Sequence, residues 1–386
     1  MRQIARYIGL GYFALVVVAA GLQLTGLAQF VAPFNIIPAP ARPPVVVKLV
    51  YSSEQREWLT AAAQQFASGQ PTLRGRPIQL VLQDRGSQAI VAEIAQSQPV
   101  AIIPASSAQV GALARSNSAK PASGANAPQP IALSPLVLVG WKERTDLLFP
   151  AGTTDVWARL HDALQKPNWS DPSLGGKLEW GPVKLGHASP GTANSGVETL
   201  TLLAYAYAKK GQGLTANDLN NPEFQSWLSE IEGTVSDFPA STDLLFSSFL
   251  LRGPSAYDVI VAYENQAVAN VERTQWGALQ VIYPAATMLS DHPFAILDAA
   301  WVAPEQQEAA RMFRDYLLSE PAQRLALRYG FRPANSNVPL TANEPGNMFL
   351  AASAIGVKPE LPGGVEAPSP EVTDALIRLW RQQTGR

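Results

Sequence analysis

Four hydroxyl-rich turns are the places where this chain could hold a ligand: Ser52 and Ser53, Gly86 with Ser87, Ser106 and Ser107, and the segment 192–196, which reads TANSG. Each follows a short apolar run and precedes a helical pattern. In an open parallel sheet, ligands sit beyond the carboxyl ends of the strands. Helix N-termini at that edge present unpaired N–H groups and the positive end of the helix dipole, which together favour anions. Hydroxyls add hydrogen bonds without full charge, which suits reversible capture of an oxyanion or another small polar ligand. Any one of these serines is equally an ordinary N-cap. Their recurrence at equivalent places is what favours a shared ligand site.

Catalytic chemistry is poorly supported, and no enzyme is expected. The chain has three histidines. His161 lies within a helical pattern and reads as a surface residue. His187 lies near the 192–196 turn but has no His or Cys partner nearby in sequence; the third is His292. Neither a GxSxG nucleophile elbow nor a GxxxxGK[ST] phosphate loop occurs. Asp84, Asp243, Asp258 and Glu264 could build a metal site or bind an amine, although caps, salt-bridge partners and solvated groups are the commoner roles for such residues. Cysteine is absent, which excludes disulfides, thiolate zinc, iron–sulfur clusters, a cysteine nucleophile and a cysteine-linked lipid anchor. No cofactor or metal is expected. Trp141, Trp157 and Trp301 read as core fillers rather than sugar-stacking rings.

The elements that must position the turns follow from periodicity. Residues 45–50 (VVVKLV), 77–82 (PIQLVL) and 100–104 are short apolar runs that read as buried strands. The first two lead into helical patterns, the first with Trp58, Leu59, Ala62 and Phe66 on one stripe, and the third leads into another serine pair. Strand, serine-rich turn and helix in succession mark an α/β parallel sheet. Residues 111–130 have little periodicity: the first few can finish a helix, and the rest read as a surface loop. The strand that follows, IALSPLVLVGWKE, carries Pro135, which argues for an edge position or a crossing between domains. Further on, a strand at 183–185 leads through the 192–196 turn into a long helix, YDVIVAYEN is a strand, and 292–302 is a return strand. Residues 303–335 form a helix pair broken near Pro321.

Length and composition bound the rest. At roughly 150 residues per domain, 386 residues suggest two domains. With 47% hydrophobic and 16% charged residues the chain is not a disordered polyelectrolyte. A formal charge of −2 supplies no basic excess for phosphate contacts, so nucleic acid is not a partner. Arg2 and Arg6 precede an apolar run over 8–28 that would measure about 31 Å as a helix, enough to cross a bilayer. Its flanking arginines send the body of the chain outside. Two readings remain open: an uncleaved anchor continued by a proline-rich spacer, or a secretory signal cut after Ala28.

The segments YSSEQREWL, DRGSQAI, ALSPLVLV, GHASPGTANSG, VIVAYENQAV and FRDYLLSEPAQRLALRYGFRPAN together resemble the bacterial extracellular solute-binding proteins, on the branch of the molybdate- and sulfate-type binding proteins of ABC importers. The resemblance spans about residues 45–340. It implies an α/β, two-lobed periplasmic-binding-protein-like type II fold with two crossover strands, here preceded by one N-terminal transmembrane or signal helix. The expected organisation is 1–30 signal or anchor helix, 31–44 spacer, 45–133 first part of lobe 1, 134–284 lobe 2, 285–345 second part of lobe 1, and 346–386 a tail with a short helix. By motif, Ser52, Ser53 and Ser87 match the first-lobe turns, and Ser134 lies on the crossing strand near the hinge. Thr192, Asn194 and Ser195 match the second-lobe turn, and Tyr263 matches a tyrosine ending a late strand. Glu264 and Asp84 depart from the pattern and would disfavour a dianion if they faced the cleft.

The implied function is extracytoplasmic capture of a small polar solute or oxyanion by a monomer, with delivery to an ABC permease. The expected location is the bacterial cell membrane, single-pass with an extracytoplasmic domain, or the periplasm or medium if the helix is cleaved. The alternatives are a membrane-tethered sensor or scaffold with the same fold, and an extracellular hydrolase.

Overall fold

In a computed structural model, which describes residues 42–115, 119–273 and 275–386 together with residues 14 and 16–18, the β-branched run after residue 44 forms the strand Val45–Ser52. It pairs in parallel with Arg76–Arg85 on one side and Ala101–Ile103 on the other. Pro293–Asp298, the return strand, joins Ala101–Ile103 antiparallel. Successive residues of the first strand serve different cores: Leu49 packs with Trp58, Phe294, Phe313 and Phe331, whereas Val50 packs with Ile90, Ile102 and Leu113. That alternation is the two-residue period of a strand; from Leu49 to Tyr51 both faces are buried, whereas Val46 is exposed and Lys48 interrupts the apolar run.

The second sheet is built on Ala132–Trp141, flanked antiparallel by Val259–Tyr263 and Leu279–Ile282, with Leu185–Gly186 parallel to Val259–Tyr263. It too is covered on both faces: Leu136 and Leu138 enter one core with Trp157, Leu160 and Phe224, while Val137 and Val139 enter another with Phe246 and Phe249. The helix Pro370–Thr384 adds Leu376 and Trp380 to the first of these cores.

The two lobes are joined by crossing strands. The start of Ala132–Trp141 pairs with Arg332–Pro333 and with Leu289–Ser290, and its end with the second-sheet strands. Pro135 therefore lies where the strand crosses, opposite Leu289. Just beyond Leu289–Ser290, His292 is fully buried with φ of 39°, a left-handed backbone that a side chain other than glycine's adopts at a cost. Its backbone is fixed at both ends, the N–H donating to Ala105 O at 3.0 Å and the carbonyl accepting from Ile131 N at 3.3 Å.

Two expectations are revised. The N-terminal transmembrane or signal helix is corrected: among the described residues no helix is long and apolar enough to cross a membrane. Asn194–Ala208 and Pro370–Thr384 have 15 residues each, about 22 Å, short of the ~30 Å hydrocarbon core. The apolar run over 8–28 lies outside the described residues except for 14 and 16–18, and the expected spacer except for 42–44. Membrane attachment, single-pass topology and the membrane as a partner are withdrawn with the helix. The segment 111–130 is more than a loop: Lys120–Pro121 and Gln129–Pro130 each add a two-residue strand to Pro293–Asp298. Strands that short carry no periodicity to read.

By its contacts the chain divides into two units, Met1–Pro44 with Arg74–Pro77, and Val45–Leu73 with Ile78–Arg386. In the first, Arg42 donates to Arg74 O at 3.1 Å and Arg76 Nε to Pro43 O at 2.9 Å. The lobes and the candidate site belong to the second.

Candidate functional site between the lobes

The first strand ends at Ser52 and turns through the 3-10 segment Ser53–Gln55 into the helix Arg56–Ser68. Ser52 does not cap that helix. Its hydroxyl donates to Glu54 Oε2 at 2.5 Å and accepts from Ser87 Oγ at 2.8 Å, and Ser87 in turn accepts from Ala105 N at 3.0 Å. The other Glu54 oxygen lies 3.2 Å from His292 Nε2. The third turn behaves differently. Ser106 is an ordinary N-cap that accepts from Ala108 N, and Ser107 is bound to Asp291. The hydroxyls at Ser52 and Ser87 are thus available to a polar network because capping does not consume them.

On the second lobe, Leu185–Gly186 leads through a turn into the helix Asn194–Ala208. Gly196 lets the helix start sit against that turn, since a Cβ there would lie 2.3 Å from Ala188 O. Asn194 Nδ2 donates to Glu198 Oε1 at 2.8 Å and to Tyr263 Oη at 2.9 Å, and Ser290 Oγ donates to the same Glu198 oxygen at 2.9 Å. Burial pushes the Glu198 carboxyl up to about 7, against the hydrogen bonds from Ser290, Asn194 and Tyr263 that favour its charged form. Burial, then the nearby acids Glu198 and Glu54, holds the Tyr263 hydroxyl well above its ordinary value.

The lobes touch at several points. Gln109 Nε2 donates to Asn194 Oδ1 at 2.6 Å, Gln88 N to Thr192 O at 3.1 Å, and Asn265 Nδ2 to Glu54 O at 3.5 Å. Arg56 spans the mouth, reaching Asp84 at 2.6 Å and Asp243 at 3.0 Å. Beside Glu54 opens a groove of about 320 Å³ with Ser53, Arg56, Asp243, Asn265 and Trp276 on its walls. Because the Arg56 pairs are partly exposed, Arg56→Ala should weaken the contact between the lobes by only about 0.5–1 kcal/mol. Urea denaturation of that variant checks the value.

The expected residues therefore divide. Ser52 and Ser87 form one cluster, and Asn194 and Tyr263 another across from it. Ser134 Oγ bonds Asn265, accepting from its N–H at 3.0 Å. Ser195 Oγ pairs with Thr242 Oγ1 at 2.6 Å, and Thr192 Oγ1 donates to Ala240 O at 2.7 Å, so these two brace the turn. Ser53 is buried with its hydroxyl unpartnered.

The four singled-out carboxylates are bonded away from the network: Asp84 and Asp243 to Arg56, Asp258 to Trp169 and Lys184, Glu264 to Arg332. The acids that do enter are Glu54 and Glu198, which sequence reasoning passed over together with Gln109, Ser290 and the role of His292. A signal existed for Glu198, a lone acid inside the apolar helix VETLTLLAYA. Among the described residues no group of three or more His, Asp or Glu side chains could hold a metal ion.

Against this geometry, a family profile described as bacterial extracellular solute-binding protein matches residues 47–332. The chain belongs to that family. It is accordingly a non-catalytic solute-binding protein of the extracytoplasmic space. Among curated proteins none matches it. Solved structures share the fold. The sulfate-binding protein SubI from Mycobacterium tuberculosis H37Rv is 19% identical, with 82% of this chain and 94% of that one covered at a TM-score of 0.54. A periplasmic thiamin binding protein is 11% identical over 88% and 96%, with a TM-score of 0.58. Iron-bound HitA from Pseudomonas aeruginosa is 14% identical over 88% and 100%, with a TM-score of 0.57. The names of these three structures specify an oxyanion, an organic cofactor and a metal, so the solute-binding fold by itself does not select a ligand.

Proposed function

We propose that this protein captures a small polar solute between its two lobes and delivers it to the permease of an ABC importer. The lobes divide as 45–133 with 285–345, and 134–284. Capture shifts an open arrangement toward a closed one about the crossing strands. Ser52, Ser53, Ser87, Asn194 and Tyr263 face the solute, while Ser134, Thr192 and Ser195 hold the hinge and the second-lobe turn. The observation that carries the reading is the buried network of hydroxyls and carboxylates at the lobe junction, assembled from the ends of strands in both sheets. A core that only needed to be stable would fill such a place with apolar side chains, because buried polar groups must find partners or cost stability.

The test is thermal melting of the full chain with sulfate, molybdate, phosphate, amines, amino acids and sugars, each in excess. A solute at about 100 times its dissociation constant adds about 2.7 kcal/mol of apparent stability, which raises Tm by several degrees. Asn194→Ala should remove that rise, because Asn194 links Gln109 of one lobe to Glu198 and Tyr263 of the other. A rise that survives in Asn194→Ala would place capture elsewhere.

A further inference from the structure

Two buried acceptors at the junction between the lobes have no hydrogen-bond donor. Glu198 is buried, and its Oε1 accepts twice while its Oε2 has no partner. A carboxylate oxygen can only accept, so it turns the amide nitrogen of Asn194 toward itself. Asn194 Oδ1 is then left to face Gln109, whose Nε2 meets it at 2.6 Å. The consequence is a second orphan: Gln109 Oε1, on a side chain only 4% exposed, has no donor. Both of these atoms are acceptors, while the Ser53 hydroxyl, also buried and unpartnered, can donate or accept. Among the described residues no lysine or arginine nitrogen bonds Glu54 or Glu198: Ser52 and His292 meet Glu54, and the neutral donors Asn194, Ser290 and Tyr263 meet Glu198.

We propose that the solute is a small organic cation, a primary ammonium or guanidinium compound, whose N–H groups supply the donors that Glu198 Oε2 and Gln109 Oε1 lack. The inference rests on the lobe junction being the solute site. An oxyanion would bring more acceptors and a charge of the wrong sign to this place. A neutral sugar would bring donors but leave the carboxylate charge uncompensated, which is costly in a buried site.

Proton linkage separates these classes. Burial raises the Glu198 carboxyl to about 7, so a bound solute can change its proton occupancy near neutrality. The groups that face it are Glu54 from the 3-10 turn, Tyr263 from the strand Val259–Tyr263, Ser290 from the crossing strand and Asn194 from its own helix, with His292 turned to Glu54. A bound cation favours the carboxylate and expels the proton, an oxyanion draws one in, and a neutral solute leaves the balance nearly unchanged.

The experiment is titration calorimetry of the full chain at pH 7 in two buffers of unlike ionisation enthalpy, with ethanolamine, putrescine, agmatine, glucose, sulfate and molybdate as probes. The expected result is binding of an amine or guanidine with net proton release. Glu198→Gln should keep its melting temperature, lose the proton release and bind that probe at least tenfold more weakly. Tight binding of glucose, sulfate or molybdate without proton release would overturn the cation assignment while leaving capture between the lobes intact. Amine binding unaltered in Glu198→Gln would overturn it as well. Silence from every probe in a folded sample would overturn the cation assignment, while capture itself is decided by the wider melting panel.

Discussion

Gly86→Ala is expected to hold the lobes apart. The backbone of Gly86 has an ordinary φ of −67°, so alanine meets no strain within its own lobe. The obstacle lies across the junction: a Cβ at this position would sit 2.4 Å from Thr192 O and 3.2 Å from Ala240 O, both backbone atoms of the other lobe. Backbone oxygens cannot rotate away as a side chain would, so relief requires the two surfaces to separate by most of an ångström. That separation also breaks the 3.1 Å bond from Gln88 N to Thr192 O. Overpacking of this kind costs about 1–3 kcal/mol, here charged to the closed state alone, or roughly a 5- to 150-fold loss of solute affinity. Small-angle scattering should show a radius of gyration that no longer shrinks with solute, while the melting temperature of the unliganded protein stays within a degree or two of the parent. Parent-like affinity and closure would show that the Gly86–Thr192 contact is not part of the bound state.

The second large effect concerns stability. Glu264 follows Tyr263 directly and is fully buried, its two oxygens bound by Arg332 Nε at 2.6 Å and Nη2 at 2.8 Å. Tyr283 Oη donates to the same carboxylate, and Arg332 Nη1 donates to Pro359 O at 2.7 Å. Arg332 belongs to the short strand against the start of Ala132–Trp141, so the pair fastens the crossing strand to the second lobe. Arg332→Met should cost about 3–5 kcal/mol, because it strands a buried carboxylate rather than because the pair is intrinsically strong. The double variant Arg332→Met/Glu264→Gln should recover a substantial part of that loss. Urea denaturation of the two variants and the parent measures both quantities, and a single variant no less stable than the double one would contradict the account.

These two predictions differ in how much of their basis was legible in the chain. GSQ after an apolar run marks a turn and a helix start, and the turn is where the first lobe ends at the junction. That Gly86 needs to lack a side chain was not legible, because the obstructing atoms belong to Thr192 and Ala240. Likewise YEN reads as an acidic departure that would disfavour a dianion only if it faced the cleft. Arg332, 68 residues away, takes Glu264 out of the cleft, and the acids at the junction are instead Glu54 and Glu198.

The amino-acid sequence by itself determined the α/β lobes, the crossing strand with its proline, the family, and the turns from which the junction is built. Those features depend on local periods and residue types: continuous apolar runs for strands covered on both faces, and hydroxyls where helices begin. Only the tertiary structure decided which hydroxyls cap helices and which join the network, and that Glu54 and Glu198 are the carboxylates buried at the junction. Glu54 meets His292 across 238 positions, and Asn194 meets Tyr263 across 69. A side chain's burial and partners, which set its charge and what it can bind, depend on neighbours that the chain brings together only when it folds.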